Sequence, residues 1–147
     1  MSEAIAAPRE FIIFEHPARD IFQAMFQRLD AVSAPIIGPA EMRFLVIPLR
    51  DQAGEISGGF WGCTTFSWLH VQLMLVPETL RAQGLGGALL RAAEREAQAR
   101  ACLGAYVDSF SFQAVEFYQK HGYRKFGELI DYPPGYSQVY LSKKFAR

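Results

Sequence analysis

A strand, a glycine-rich turn and a long helix in succession constrain the fold more than any other part of the chain. Trp68 to Val76 is a nine-residue run of mostly apolar or aromatic residues, and Pro77 stops it abruptly. Glycines follow at Gly84 to Gly87, and the segment to Ala101 consists largely of strong helix formers. This order predicts a buried central strand, a helix, and a parallel crossover onto a strand at 104–110.

The remaining segments alternate between strand-like runs and helical spacing. Apolar residues recur at helical spacing after Pro17, and Ser111 is placed to cap a second helix from Phe112 to His121. We predict one α/β (α+β) domain over residues 1–147, with a mixed central sheet of about seven strands flanked by helices. The predicted strands are 11–14, 42–49, 56–66, 68–76, 104–110, 123–130 and 136–145, with turns at 51–54 and 132–135.

Charge and cysteine content narrow the partners. Fifteen basic and fifteen acidic side chains cancel, which disfavours nucleic acid and anionic lipid. Cys63 and Cys102 lack metal-ligand spacing and have apolar neighbours, so we expect free thiols in a reducing compartment and no metal. No apolar stretch has the length of a membrane span, and no basic segment followed by an apolar run opens the chain. We expect a cytoplasmic protein.

The glycine-rich turn has the chemistry of an anion site. Backbone N–H groups in the first turn of a helix lack internal partners and lie at the positive end of its dipole. Gly84 and Gly86 carry no Cβ atom that would hold a phosphate away, and Arg81 adds a cationic donor. The alternative is a tight turn that lets the helix pack on the strand. The sequence has neither a Gly-Lys-Ser/Thr phosphate loop nor a Gly-x-Gly-x-x-Gly directly after the strand.

Two motifs resemble those of the GNAT superfamily of N-acetyltransferases. The segment from Arg81 to Gly86 matches the acetyl-coenzyme A signature Arg/Gln-x-x-Gly-x-Gly/Ala. The segment from Ser111 to Tyr123 is similar to the family's Ala-x-x-Phe-Tyr-x-x-x-Gly-Phe/Tyr helix and turn. The resemblance spans roughly residue 56 to the C-terminus. It implies a mostly antiparallel sheet in which the strand 68–76 splays from its parallel neighbour 104–110 and frees an edge for the cofactor arm.

The resemblance also implies functional positions. Acetyl-coenzyme A is the implied co-substrate, with its diphosphate on the main chain of the turn. Its pantetheine arm and acetyl carbonyl would lie on backbone groups of Leu75 and Val76. Many family members have an asparagine contacting the cofactor before the last helix, where this chain has Ser111, Phe112 and Gln113. The predicted cofactor-binding residues are Leu75, Val76, Arg81, Ala82, Gln83, Gly84, Leu85, Gly86, Gly87, Ser111, Gln113 and Tyr118.

Acyl transfer from a thioester to an amine needs a neutral amine and a proton for the departing thiolate. Tyr118 matches the family position whose phenol lies near the sulfur, which makes it the predicted general acid; a core tyrosine is the alternative. His70 is the first candidate for the general base, because it lies upstream of Val76 on the central strand and imidazole is the side chain suited to proton transfer near neutral pH. The alternative is a histidine with a structural role. Asp108 and Glu78 are further candidates for the base.

The expected acceptor is a primary amine of a small molecule or peptide, which attacks the acetyl group directly. The turn from Asp131 to Tyr136 and the hairpin aromatics could receive a cationic amine; alternatively, those aromatics fill the core. The hairpin aromatics are Phe60, Trp61, Phe66 and Trp68. The predicted substrate-binding residues are Trp68, His70, Asp108, Asp131 and Tyr136.

Two other functions fit the same pattern. The first is a catalytically inactive acyl-coenzyme A sensor or partner module of the same fold, against which Tyr118 argues. The second is a structural α/β domain without a ligand, which predicts no saturable coenzyme A binding. No sequence pattern marks a dimer interface, so a homodimer is a possibility that the sequence does not decide.

Overall fold

A computed structural model describes residues 10–146 of the chain. These residues fall into two units divided between Pro39 and Ala40, and each is described by itself. The single domain over residues 1–147 therefore stays a prediction. No helix within the described range is both long and apolar enough to cross a membrane.

The first unit contains helix α1, Arg19–Ile37, which confirms the helix predicted after Pro17. Ala18 occupies its N-cap position with extended backbone, and Gly38 ends it by donating its N–H to the Ala34 carbonyl at 2.8 Å. The strand predicted at 11–14 is wrong. Its side chains are exposed, and its backbone pairs with no strand among the described residues, so this segment is not part of a sheet.

The second unit is a six-stranded sheet with two α-helices. Among the described residues, four of the five strand pairs are antiparallel, and the one parallel pair joins the third and fourth strands. The mixed, mostly antiparallel fold is thus confirmed, with six strands in the described part of the chain instead of about seven. The elements are β1 Arg43–Arg50, β2 Ile56–Thr65, β3 Trp68–Leu75, α2 Leu85–Ala99, β4 Gly104–Phe110, α3 Val115–Lys120, β5 Arg124–Ile130 and β6 Ser137–Lys144, in the sheet order β1-β2-β3-β4-β6-β5.

The core lies between the sheet and α2. Alternate residues of β3, Leu69 and Val71, are fully buried with the α2 residues Leu90 and Ala93, and this alternation leaves His70 on the opposite face of the sheet. Both cysteines are free and buried, as their apolar neighbours predict, and burial raises the pKa of each thiol. One face of β3 is therefore held in place by packing against α2.

Helix α3 is shorter than predicted, and Ser111 does not cap it. The backbone of Ser111 donates to the Ser137 carbonyl at 2.8 Å, and its hydroxyl accepts the Ser137 N–H at 3.1 Å. These bonds hold Ser111 to the first residue of β6, and the helix begins only after Ala114. The Ser109 hydroxyl accepts the Ala114 N–H at 3.4 Å in its place.

Strands β3 and β4 separate halfway along their length. Their parallel pairing ends at Val71 and Val107, while β3 continues along β2 and β4 continues along β6. The β2–β3 register jumps from Gly62–Val71 to Trp61–Leu73, which leaves Gln72 as a bulge directly after the last parallel pair. A bulge bends a strand and increases its twist, so it accounts for the splay.

Candidate active site

A cavity of about 820 Å³ opens where β3 and β4 part. One wall is the free edge of β3, the floor is the β3–α2 turn with the start of α2, and the far wall comes from the end of β4 and from α3. The lining residues are Val71, Gln72, Leu73, Met74, Leu75, Val76, Leu80, Arg81, Ala82, Gly84, Leu85, Gly86, Gly87, Arg91, Val107, Asp108, Ser109, Gln113, Ala114, Phe117, Tyr118 and His121.

The start of α2 presents three unpaired donors to this cavity. The first bond into the helix runs from the Ala88 N–H to the Gly84 carbonyl at 3.1 Å, and the N–H groups of Leu85, Gly86 and Gly87 donate to no described residue. Gly84 caps the helix with a φ of 72°, a left-handed conformation that glycine adopts without strain. The first turn contains no acidic side chain. The site is therefore open to an anion.

Arg81 is tied to the end of β3. Its Nε donates to the Val76 carbonyl at 3.1 Å, and the rest of the side chain is exposed. This bond fixes the guanidinium beside the cavity without neutralising it, because a carbonyl carries no net charge. The cation thus adds to the positive end of the helix.

Gly86 serves packing. A Cβ atom at this position would lie 3.3 Å from Cε2 of Phe117 and 3.6 Å from a methyl of Val76, so a larger residue would press α2 away from α3. By contrast, a Cβ atom at Gly84 would meet nothing within 4 Å. The two glycines are therefore needed for different reasons. Gly84 allows the left-handed backbone conformation, and Gly86 allows α2 to pack closely against Phe117.

Tyr118 lies on α3 at the wall of the cavity. The residue is 4% exposed, its ring packs against Phe117 and Tyr123, and its hydroxyl makes no hydrogen bond to a described residue. Burial, with a smaller contribution from the negative charge of Asp108, raises the pKa of Tyr118 to about 12. The phenol therefore keeps its proton at neutral pH.

Asp108 and His70 form a pair at the end of the β3–β4 ladder. His70 Nε2 lies 3.3 Å from Asp108 Oδ1, and Gln138 Nε2 donates to Asp108 Oδ2 at 2.5 Å. The Tyr106 ring stacks on the imidazole, with ring centroids 4.4 Å apart. Among the described residues that line the cavity, Asp108 is present and His70 is not. The Asp108 carboxylate therefore belongs to the cavity, whereas His70, the first candidate for the base, lies behind it.

The other predicted acceptor residues lie apart from one another. Trp68 starts β3, at the end away from the splay, and its ring lies over Gly104. Asp131 closes the β5–β6 turn, where its carboxylate accepts the Gly135 N–H at 3.2 Å. Tyr136 packs edge-on against Phe112, with ring centroids 4.9 Å apart, and both are half exposed. None of the three predicted residues lines the cavity among the residues described.

The predicted hairpin aromatics serve different purposes. Phe60 is buried in the core, Phe66 lies in the turn after β2, and Trp61 packs on Phe44 with its ring centroid 5.5 Å away. A different aromatic cluster stands near the end of β4. It consists of Phe110, Phe112, Tyr132 and Tyr136.

The cavity brings together most of the predicted cofactor residues. Gln83 and Ser111 are the two that do not line it within the described chain. Eleven of the lining residues were not predicted from the sequence: Val71, Gln72, Leu73, Met74, Leu80, Arg91, Val107, Ser109, Ala114, Phe117 and His121. A signal existed for Arg91, which follows Gly87 by one helical turn, and for Ala114 and Phe117, which belong to the Ala-x-x-Phe-Tyr motif. Within residues 10–146 no group of three or more His, Cys, Asp or Glu side chains is placed to hold a metal ion.

The splayed strands, the helix-start amides without a partner among the described residues and the buried tyrosine all meet at one cavity. The family model of the acetyltransferase (GNAT) domain matches residues 41–125. A curated acetyltransferase of Agrobacterium fabrum is 35% identical over 92% of this chain and 98% of its own length. The blasticidin-S acetyltransferase of Streptomyces morookaense is 40% identical over 63% of this chain and 69% of its own.

Solved structures give the same result. A crystal structure from Agrobacterium tumefaciens, described as that of an acetyltransferase, has a TM-score of 0.84 and 34% identity, covering 92% of this chain and 99% of its own. The chain belongs to the GNAT family of acetyltransferases.

Proposed function

We propose that the protein is an N-acetyltransferase that moves the acetyl group of acetyl-coenzyme A to the primary amine of a small molecule or peptide. One observation carries the proposal: a single cavity is lined both by the residues whose amides are unpaired at the start of α2 and by Tyr118. Acetyl-coenzyme A has a negatively charged diphosphate at one end and a reactive thioester at the other. An anion site and a proton donor that line the same cavity suit such a molecule.

The free edge of β3 supports this donor. Beyond Val71 the backbone of β3 has lost its partner on the β4 side, so its N–H and C=O groups are available to an extended amide chain, as in strand addition. The pantetheine arm of coenzyme A is such a chain. With the diphosphate on the amides of Leu85 to Gly87 and beside Arg81, the arm would run along β3 toward Tyr118.

Tyr118 would act as a hydrogen-bond donor to the sulfur. The amine nitrogen attacks the acetyl carbon, the C–S bond breaks, and the sulfur leaves as thiolate or thiol. Full transfer from a phenol of pKa about 12 to a thiolate of pKa about 8.5 costs about 5 kcal/mol. A hydrogen bond that strengthens as charge develops on sulfur is therefore the favoured form of this general acid, with solvent completing the protonation.

Asp108, backed by His70, is our proposed acceptor of the amine proton. The incoming amine is a cation at neutral pH, and Asp108 is the acidic residue of the cavity lining. Its two oxygens are oriented by His70 and Gln138, so a proton taken by the carboxylate could pass to the imidazole. This arrangement reverses the predicted order, in which His70 faced the amine itself.

A small-molecule amine is supported by the relative from Streptomyces morookaense, whose name gives blasticidin S as its substrate. The half-exposed rings of Phe112 and Tyr136 would supply the apolar and cation–π contacts that such an acceptor needs. This surface adjoins β4 near Asp108, because Phe112 stacks on Phe110 at the end of the strand.

A thiol-release assay tests the proposal. Acetyl-coenzyme A is presented with polyamines, amino acids, aminoglycosides, nucleoside antibiotics and peptide N-termini, and thiol release is followed with calorimetric binding of coenzyme A. We expect Arg81→Glu to weaken coenzyme A binding at least about tenfold, while Arg95→Glu, the same charge change on the exposed face of α2, leaves it within twofold. Saturable binding without transfer to any amine would identify a sensor; no binding at all would refute the proposal.

A further inference from the structure

Two basic side chains converge on the α2 residue Gly87. A Cβ atom at Gly87 would lie 2.9 Å from Nη1 of Arg91 and 2.9 Å from Nε2 of His121. Both residues line the cavity, one from the second turn of α2 and one from the residue that ends α3. The missing side chain at Gly87 is therefore what allows the two nitrogens to approach each other.

Helix geometry explains the position of Arg91. Residues four apart share a helix face, and side chains lean toward the helix N-terminus, so Arg91 lies over Gly87 and points at the first turn. Within residues 10–146, Arg91 takes part in no salt bridge. The neighbouring acid on the helix, Glu94, is buried against Lys143 instead. The guanidinium is thus an uncompensated cation at the cavity.

The hydrogen bond at Nδ1 of His121 decides what Nε2 can do. Nδ1 lies 2.8 Å from the carbonyl oxygen of Phe117, which can only accept, so Nδ1 carries a proton. Nε2 then faces Gly87 and becomes a donor when the ring is an imidazolium.

We propose that Arg91 and His121 bind a second phosphate, the 3′-phosphomonoester on the ribose of coenzyme A, apart from the diphosphate at the first-turn amides. The inference rests on the proposed function. A phosphomonoester carries close to two negative charges at neutral pH, which suits a guanidinium paired with an imidazolium. Arg81 and the first-turn amides already account for the diphosphate, whereas Arg91 and His121 lie one turn further along α2.

Dephospho-coenzyme A, which lacks only this phosphate, gives the test. Calorimetry at fixed pH and ionic strength compares its affinity with that of coenzyme A. We expect the wild type to prefer coenzyme A by about tenfold or more, because charge-assisted hydrogen bonds are lost. Arg91→Gln should remove most of that preference by weakening coenzyme A alone, and Arg95→Gln, which removes the same charge one turn later, should retain it.

Gly87→Ala provides a second variant that folds readily, since alanine favours a helix over glycine. Its methyl group would displace both nitrogens, so the ratio of the affinity for coenzyme A to that for dephospho-coenzyme A should fall. Equal affinities of the two ligands for the wild type, or an equal loss of both in Arg91→Gln, would overturn this inference and leave the transferase proposal standing. If neither ligand bound the wild type, both would fall.

Discussion

Nε2 of His70 lies 3.3 Å from Oδ1 of Asp108, but only the aspartate belongs to the cavity lining. A parallel ladder that ends at Val71 and Val107 produces this difference. His70 lies one position before the ladder's last pair and Asp108 one position after it, so only Asp108 stands where the strands have separated. His70 and Asp108 therefore contact each other, but only Asp108 is placed to meet an acceptor amine in the cavity.

Replacement of each member of this pair tests its role. We expect Asp108→Asn to lower kcat/KM for the amine by about a hundredfold, because a neutral amide neither attracts the ammonium nor accepts its proton. His70→Gln should cost about tenfold or less, since the carboxylate remains. Coenzyme A affinity should stay within twofold in both variants, measured by calorimetry beside steady-state kinetics. A larger loss in His70→Gln than in Asp108→Asn would make the imidazole the base.

Removal of the Tyr118 hydroxyl should affect turnover and leave binding intact. We expect Tyr118→Phe to bind coenzyme A normally and to lose about a hundredfold in kcat, the usual range for a missing general acid. Tyr123→Phe is the matched control, because it removes a hydroxyl from the adjacent ring, which packs 5.5 Å away and does not line the cavity. An undiminished kcat in Tyr118→Phe at neutral and alkaline pH would exclude the proposed role.

Alkaline pH should destabilise the fold through the same two tyrosines. Burial raises the pKa of Tyr118 to about 12, and burial with the charge of Glu94 raises the pKa of Tyr123 further. A raised pKa means that the folded state keeps its proton longer. The stabilisation is complete below the unfolded pKa of about 10 and is lost as the pH rises through and above it.

Urea unfolding between pH 9 and about 12 measures this loss. The free energy of unfolding should fall by about 1.4 kcal/mol per pH unit for each tyrosine that titrates only in the unfolded chain. Tyr118→Phe should flatten the slope by one such contribution, and Asp108→Asn should lower the pKa of Tyr118 by removing a nearby negative charge. Identical slopes in the wild type and Tyr118→Phe would contradict the pKa assignment.

Local signals in the sequence predicted the elements that make the cavity, but not how their side chains meet. The run ended by Pro77, the glycines and the helix formers of α2 each act over a few residues, so their pattern is visible in one dimension. The encounter of Arg91 with His121 depends on how α2 packs against α3, and the exposure of Asp108 depends on where a parallel ladder stops. Neither the contact between Arg91 and His121 nor the exposure of Asp108 can be predicted from the neighbouring residues in the sequence.

The errors have the same origin. Residues 11–14 have the composition of a strand, yet a strand exists only where a neighbour completes its hydrogen bonds. Ser111 precedes a helical pattern, yet its backbone is held by Ser137 on a strand 26 residues later. Residues 11–14 lack a pairing strand among the described residues, and Ser111 has a tertiary partner in Ser137. In both cases tertiary structure outweighs the local secondary-structure preference.

A partly buried ion pair joins α2 to β6 of the sheet. Lys143 Nζ lies 3.0 and 2.9 Å from the two carboxylate oxygens of Glu94, whose side chain is 7% exposed. Lys143 also lies over the ring of Tyr123, 5.7 Å from its centroid. Because α2 carries both the first-turn amides and Arg91, this pair helps to fix the position of the anion site.

Loss of the carboxylate should therefore reduce stability. We expect Glu94→Gln to lower the free energy of unfolding by about 1–3 kcal/mol, less than for a fully buried pair because Lys143 keeps partial access to water. Glu96→Gln is the control on the same helix: its i,i+4 bridge to Arg100 is half exposed on the acid side, and its loss should cost about 0.5 kcal/mol or less. Urea unfolding of both variants at neutral pH measures the difference. Equal costs would show that the Glu94–Lys143 pair contributes no more than a surface bridge, and the position of α2 would then depend on apolar packing alone.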